Sequence, residues 1–191
     1  RRPPGSTLFP YTTLFRSFLA FLDRLVGYWA GSIEAMVSAG VDVVIFADDW
    51  GAQAGPMIAP EAFRSIFAPR YARLIRPIHA AGRRVLFHSC GNLGGILDGL
   101  LDLRIDALWP QIGFFDADPT AADRCLDRRV TLFVHADRQR LIPHGTPAQI
   151  DAAMAGYARR YRRAGGGGVF YIEVENDAPF DNVRAWIEAV D

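Results

Sequence analysis

Five short runs of apolar, largely β-branched or aromatic residues, each followed by a stretch of helical periodicity, constrain this chain more than any other feature. The runs are Val41–Phe46, Arg84–Phe87, Asp106–Trp109, Val130–Val134 and Val169–Ile172. Nearly continuous apolar character over four to six residues is the signature of a parallel strand covered on both faces. The intervening segments Pro60–Ala81, Leu93–Leu103, Pro119–Leu126, Thr146–Ala164 and Pro179–Val190 read as helices. Pro69 and Pro77 should break or kink the first of these. Thr146-Pro147 is a good cap and first-turn pair for the fourth. A further helix spans Phe18–Ala39, with Leu19, Leu22, Leu25, Val26, Trp29, Ile33, Met36 and Val37 on its apolar face and Gly40 as its stop.

Strand–helix alternation predicts a parallel α/β sheet, either doubly wound or closed as a barrel. The polar residues decide between the two. Every run ends in reactive groups: Asp48-Asp49, His88-Ser89-Cys90-Gly91-Asn92, Gln111, His135-Ala136-Asp137 and Glu173-Val174-Glu175. A (β/α)8 TIM barrel gathers the C-terminal ends of all its strands at one mouth, whereas an open sheet uses mainly those at its switch point. No GxGxxG or phosphate-loop pattern follows any run. The expectation is an incomplete TIM barrel comprising about the last five βα units.

Residues 1–17 do not fit this pattern and resemble a translated sequencing-adapter read, so they are expected to be a non-native leader before a barrel segment at 18–191. On that reading the chain is a truncated piece, and an inactive fragment with two unpaired sheet edges is one expectation for it.

The formal charge is zero, so no global field recruits nucleic acid or an anionic membrane. All 21 basic residues are arginine, which reads as coding bias rather than chemistry. Two cysteines, Cys90 and Cys125, do not make a disulfide framework. No apolar run approaches a membrane span and no secretory pattern is present, so a cytoplasmic location is expected.

In an extended chain, residues two apart point to one side, with Cα atoms ~6.6 Å apart. His88 and Cys90 can therefore share one metal ion, and imidazole plus thiolate is a zinc-type ligand set. The other reading of the pair is a hydrogen-bonded histidine beside a small buried cysteine. Gly91 would let the chain turn away, and Asn92 could cap the next helix or contact substrate. Asp48 and Asp49 are candidates for catalytic acid–base work, with Gln53, Asn92, Gln111, His135 and Asp137 as substrate contacts. Cys125 reads as packing, and His79 and His144 as surface or loop residues.

The segments Phe46–Gln53, Ile58–Glu61, Pro69-Arg70-Tyr71, Leu86–Asn92, Gly145-Thr146-Pro147 and Ala178–Val183 together resemble the uroporphyrinogen decarboxylase superfamily, over about Phe18 to Asp191. The resemblance implies a (β/α) barrel. It also implies one of two activities: metal-free decarboxylation of a tetrapyrrole carboxylate, or zinc-dependent transfer of a methyl group between a corrinoid protein and a thiol such as coenzyme M. His88-x-Cys90 matches the methyltransferase branch, which implies Zn2+ here and methylcobalamin on a partner protein. That branch carries a second cysteine near the end of the last strand, where this chain has Ile172-Glu173-Val174-Glu175; Glu173 or Glu175 is then implied as the third ligand. The glycine-histidine-glycine pattern of true decarboxylases is absent after the last strand.

Overall fold

The structure, a computed structural model, describes residues 8–162 and 167–190. The first seven residues of the expected leader, and the end of the helix predicted to reach Ala164, lie outside them.

Helix α1 runs Leu8–Ser38 and therefore begins ten residues earlier than predicted. Gly40 ends it with a φ of +85°, a conformation glycine adopts without steric cost. Strand β1 (Val43–Ala47) follows. A helical turn at Pro60–Ala62 leads through a π-helical turn, Phe63–Phe67, into α2 (Ala68–Ala80). The predicted proline break thus takes a milder form. The wider π turn sits just before Pro69, and α2 runs on through Pro77. Then come β2 (Arg84–Ser89), α3 (Leu97–Leu101), β3 (Ala107–Pro110), α4 (Ile112–Ala117) and α5 (Pro119–Asp127). They are followed by β4 (Thr131–Val134), α6 (Leu141–His144), α7 (Pro147–Tyr161), β5 (Gly168–Phe170) and α8 (Phe180–Val190). Helices α4 and α6 are absent from the sequence reading because four to six residues are too few to show a 3.6-residue period. Thr146 makes the expected N-cap and forms a full capping box with Gln149.

All five strands are parallel, and their order in space is their order in sequence. That order separates the two architectures left open by alternation. A doubly wound sheet reverses direction at its switch point; here each new strand adds to the same side, as in a barrel wall. The sheet is a partial TIM-barrel-like wall.

Alternate residues divide between its faces. Val44, Val85, Phe87, Leu108, Leu132 and Val134 are buried against the helices. Val43 and Ile45 point the other way and remain 47% and 57% exposed. The same face carries an aromatic row across neighbouring strands: His88, Trp109, Phe133 and Tyr171, with ring centroids 4.5 Å, 6.2 Å and 6.2 Å apart in succession. Of the apolar stripe predicted for α1, Val26 and Ile33 are buried and Val37 packs on the core, while Leu25, Trp29 and Met36 are exposed. The helix meets the rest of the molecule chiefly along α2, so only a narrow strip of it is covered.

Candidate metal centre

The loop after β1 and the loop after β2 are locked together by two glycines. A Cβ on Gly51 would lie 2.5 Å from the Gly91 carbonyl carbon, and one on Gly91 would lie 2.3 Å from the Gly51 carbonyl carbon. Gly91 also has a φ of +75°. Glycine at both positions is what permits this approach. Backbone hydrogen bonds run along the seam, from Gly51 N–H to Cys90 O (3.2 Å) and from Asn92 N–H to Ala52 O (2.9 Å). The buried Ser89 hydroxyl accepts from Trp50 N–H at 2.9 Å. Gln111 adds a third loop, its Oε1 accepting from Gly91 N–H at 3.1 Å.

The seam carries Asp49 to the end of β2. Its Oδ1 accepts from Cys90 N–H at 2.8 Å and stands 3.7 Å from His88 Nε2. His88 Nε2 in turn lies 3.4 Å from Cys90 Sγ. Ligand atoms from Asp49, His88 and Cys90 all fall within 4.8 Å of one another. For comparison, two ligands of a tetrahedral zinc at ordinary Zn–S and Zn–N distances stand ~3.5 Å apart.

The imidazole is oriented for such a role. His88 Nδ1 is 3.0 Å from the Trp109 carbonyl, which can only accept, so Nδ1 carries the proton and Nε2 keeps its lone pair. A backbone carbonyl that fixes the tautomer in this way is a regular feature of metal-ligating histidines. Burial, then the adjacent Asp49 charge, push the Cys90 thiol above its ordinary pKa, against the opposing effect of Arg138. A cation among these three groups would reverse that balance, since a coordinating thiol is deprotonated outright. The residues present fit zinc: imidazole, sulfur and carboxylate, with room for a further ligand.

Beside Cys90 opens a cleft of about 610 Å3, lined by Gln111, His135, Arg138, Gln139, Glu175 and Asp177 among others. Arg138 is held by Glu173 at 2.7 Å and Glu175 at 3.3 Å. Both glutamates are therefore engaged with a guanidinium, and the carboxylate that stands with His88 and Cys90 is Asp49, which the sequence suggested for acid–base work. Asp48 points elsewhere; its Oδ2 accepts from the Tyr71 hydroxyl at 2.6 Å, and that hydroxyl also accepts from Trp50 Nε1 at 3.2 Å. Burial first, then Asp48, raise the Tyr71 pKa far above normal and keep the phenol protonated.

Of the predicted substrate contacts, Gln111 and His135 reach the cleft. Gln53 is exposed on the turn bounded by the Gly51–Pro56 bridge. Asn92 closes a local turn onto Gly94 N–H (2.9 Å), and Asp137 does the same onto Gln139 N–H (2.9 Å) at the entry to α6. Arg138 and Tyr171 went unnoticed in the sequence. One arginine among many gives no signal, and Tyr171 reads as an ordinary strand residue. The buried Cys125 is a packing residue as expected, with burial pushing its thiol up to about 12. His79 lies on α2 with its side chain 32% exposed, and its Nε2 is 2.9 Å from Asp106, which also pairs with Arg84 at 2.8 Å.

Fold and site together define a partial (β/α)-barrel wall whose polar groups gather at the C-terminal ends of the strands. The chain belongs to the uroporphyrinogen decarboxylase (URO-D) family, whose sequence model matches residues 15–191. Among solved structures it is similar to a methyltransferase from Methanosarcina mazei, at 21% identity and a TM-score of 0.60. That match covers 86% of this chain and 46% of the other, so the chain spans less than half the length of that methyltransferase. No curated protein sequence matches the chain. Among the described residues, no helix is long and apolar enough to cross a membrane.

Proposed function

We propose that this chain carries the zinc- and thiol-binding part of a methyltransferase that moves a methyl group from a corrinoid on a partner protein to a small thiol. The observation that carries the proposal is the Asp49–His88–Cys90 cluster: three ligand atoms within 4.8 Å, on a histidine whose tautomer leaves Nε2 free to coordinate. Zinc, when bound, would lower the pKa of a substrate thiol and hold it as a thiolate. His88 and Cys90 would hold the ion. Asp49 would complete the set while accepting the Cys90 N–H, which fixes its carboxylate. Gln111 would brace the Gly91 turn and present its amide to the cleft. In the overall exchange methylcobalamin would give up its methyl group without the bonding electron pair, the thiol sulfur would take it, and the thiol proton would pass to solvent.

The test is thioether formation by the purified chain with zinc, methylcobalamin and a small thiol. Loss of product with chelator, and in His88→Ala, is the expected outcome. Decarboxylation of uroporphyrinogen that persists in chelator would instead favour metal-free chemistry and overturn the proposal.

A further inference from the structure

Trp109 holds His88 in two ways. Its backbone carbonyl, set by the β2–β3 register that pairs His88 with Trp109, accepts from Nδ1 at 3.0 Å. Its indole lies against the imidazole, with ring centroids 4.5 Å apart and planes tilted by 58°. The two contacts differ in what keeps them in place. The carbonyl belongs to the sheet and stays with it. The indole turns about two side-chain bonds and needs an anchor of its own.

Tyr171 supplies that anchor from 62 residues further along the chain. Trp109 Nε1 donates to the Tyr171 hydroxyl, and the two rings meet edge to face at 5.1 Å. Burial pushes the Tyr171 phenol up to about 12, against the opposing effect of the Trp109 donor, so the hydroxyl stays neutral. Tyr171 is itself held: its N–H donates to the Val134 carbonyl at 3.1 Å, and its ring packs on Phe133 at 6.2 Å and His135 at 5.4 Å. The indole is thus pinned at its Cα by β3 and at its far end by Tyr171.

What the pinned indole adds to His88 is direction. The carbonyl decides which nitrogen is protonated, but one hydrogen bond leaves the imidazole plane free to swing about it. A shared ion needs Nε2 to face Cys90 Sγ at 3.4 Å and Asp49 Oδ1 at 3.7 Å together. A ring already in contact with a fixed indole cannot swing toward it, which narrows the imidazole to the orientation that serves both.

We propose that Tyr171 is a positioning residue for the metal centre, acting on His88 through the indole of Trp109. This rests on the zinc-binding reading above and extends it from the ligands to the groups that aim them.

The test is zinc affinity by competitive chelation, measured on the folded fraction of the wild type, Tyr171→Phe, Trp109→Phe and the double variant. Losing an outer partner of a metal-binding histidine typically weakens the metal about tenfold or more. Trp109→Phe should do so, and Tyr171→Phe, one contact further out, should weaken it about fivefold. The double variant should match Trp109→Phe within about twofold, because the hydroxyl acts only through the indole; independent effects would multiply to about fiftyfold. In the metal-free chain, the 15N signals of the His88 imidazole, assigned by their loss in His88→Ala, should show the single Nδ1–H tautomer in the wild type and a mixture in Tyr171→Phe. If the wild type binds zinc, unchanged affinity in Tyr171→Phe or a multiplied loss in the double variant overturns the proposal. Tyr171→Phe keeps the ring and its packing, so it decides by itself if Trp109→Phe does not fold. If the wild type binds no zinc, the metal reading falls, and the imidazole signals then decide the positioning role: altered in Tyr171→Phe they uphold it, unchanged they overturn it.

Discussion

Substitution of Gly91 by alanine is the most demanding test of how the candidate centre is assembled. Two costs follow from the geometry. A φ of +75° is left-handed and costs an L-residue about 1–2 kcal/mol. In addition, the new Cβ would sit 2.3 Å from both the carbonyl carbon and the carbonyl oxygen of Gly51, and 2.8 Å from Ala52 N. These are backbone atoms and cannot rotate away, so the two loops must separate; overpacking of this kind costs about 1–3 kcal/mol. The sum is about 2–5 kcal/mol, a large share of a typical domain's stability. Gly82 is the matched control. Its φ is +71°, yet a Cβ there meets nothing within 4 Å, so Gly82→Ala should incur the conformational cost alone. Urea unfolding of the two variants, read by far-UV circular dichroism, isolates the clash as the difference between them. Separating the loops also moves Asp49 away from Cys90, so Gly91→Ala should weaken zinc binding by more than its stability loss explains, measured on the fraction still folded. Equal destabilisation in the two variants, within ~0.5 kcal/mol, would refute the claim that glycine–glycine contact holds the site.

Three further outcomes are expected. The amide of Asn182, 3% exposed, donates to the Ile142 and Gly145 carbonyls at 2.8 Å and 2.9 Å; Asn182→Ala should cost about 2–3 kcal/mol in the same urea assay by orphaning both acceptors. Thr146→Ala removes the reciprocal cap of α7 and should cost about 1 kcal/mol, visible as a lower thermal midpoint. Burial alone would raise the Asp106 pKa, but the Val85 amide, Arg84 and His79 outweigh it and hold the carboxyl below its ordinary 3.8. A depressed acid stabilises the fold above its unfolded pKa, and that contribution fades as pH falls through the folded value. Asp106→Asn should therefore flatten the part of the stability profile below about pH 4, whereas an unchanged acid limb would contradict the linkage.

Much of the architecture was legible because it depends on local pattern. Phe87 and Leu132 sit in continuous apolar runs, which only a sheet covered by helices accommodates, and Thr146-Pro147 announces its helix by chemistry alone. His88 and Cys90 share a side because strand periodicity is two, and their pairing needs no knowledge of the rest of the chain. What could not be read is contact between distant loops. Asp49 joins the pair through a Gly51–Gly91 seam that spans some forty residues of sequence, and no spacing rule marks it. The glutamates suggested as third ligands by resemblance are bound instead to Arg138, an interaction fixed by how the loops after β4 and β5 approach one another. The exposure of Leu25 and Trp29 on α1 was equally hidden, since helical periodicity identifies an apolar face without saying how much of it finds a partner.

The central claim, a zinc site built from Asp49, His88 and Cys90, is tested most directly by zinc content and affinity of the purified chain. The wild type, Cys90→Ala, Asp49→Ala and the double variant Glu173→Gln/Glu175→Gln should be measured together by metal analysis and competitive chelation. The expected result is stoichiometric zinc in the wild type, loss in Cys90→Ala, at least tenfold weaker binding in Asp49→Ala, and little change in the glutamate variant. No zinc in the wild type, or zinc that survives Cys90→Ala but is lost with the glutamates, would contradict it.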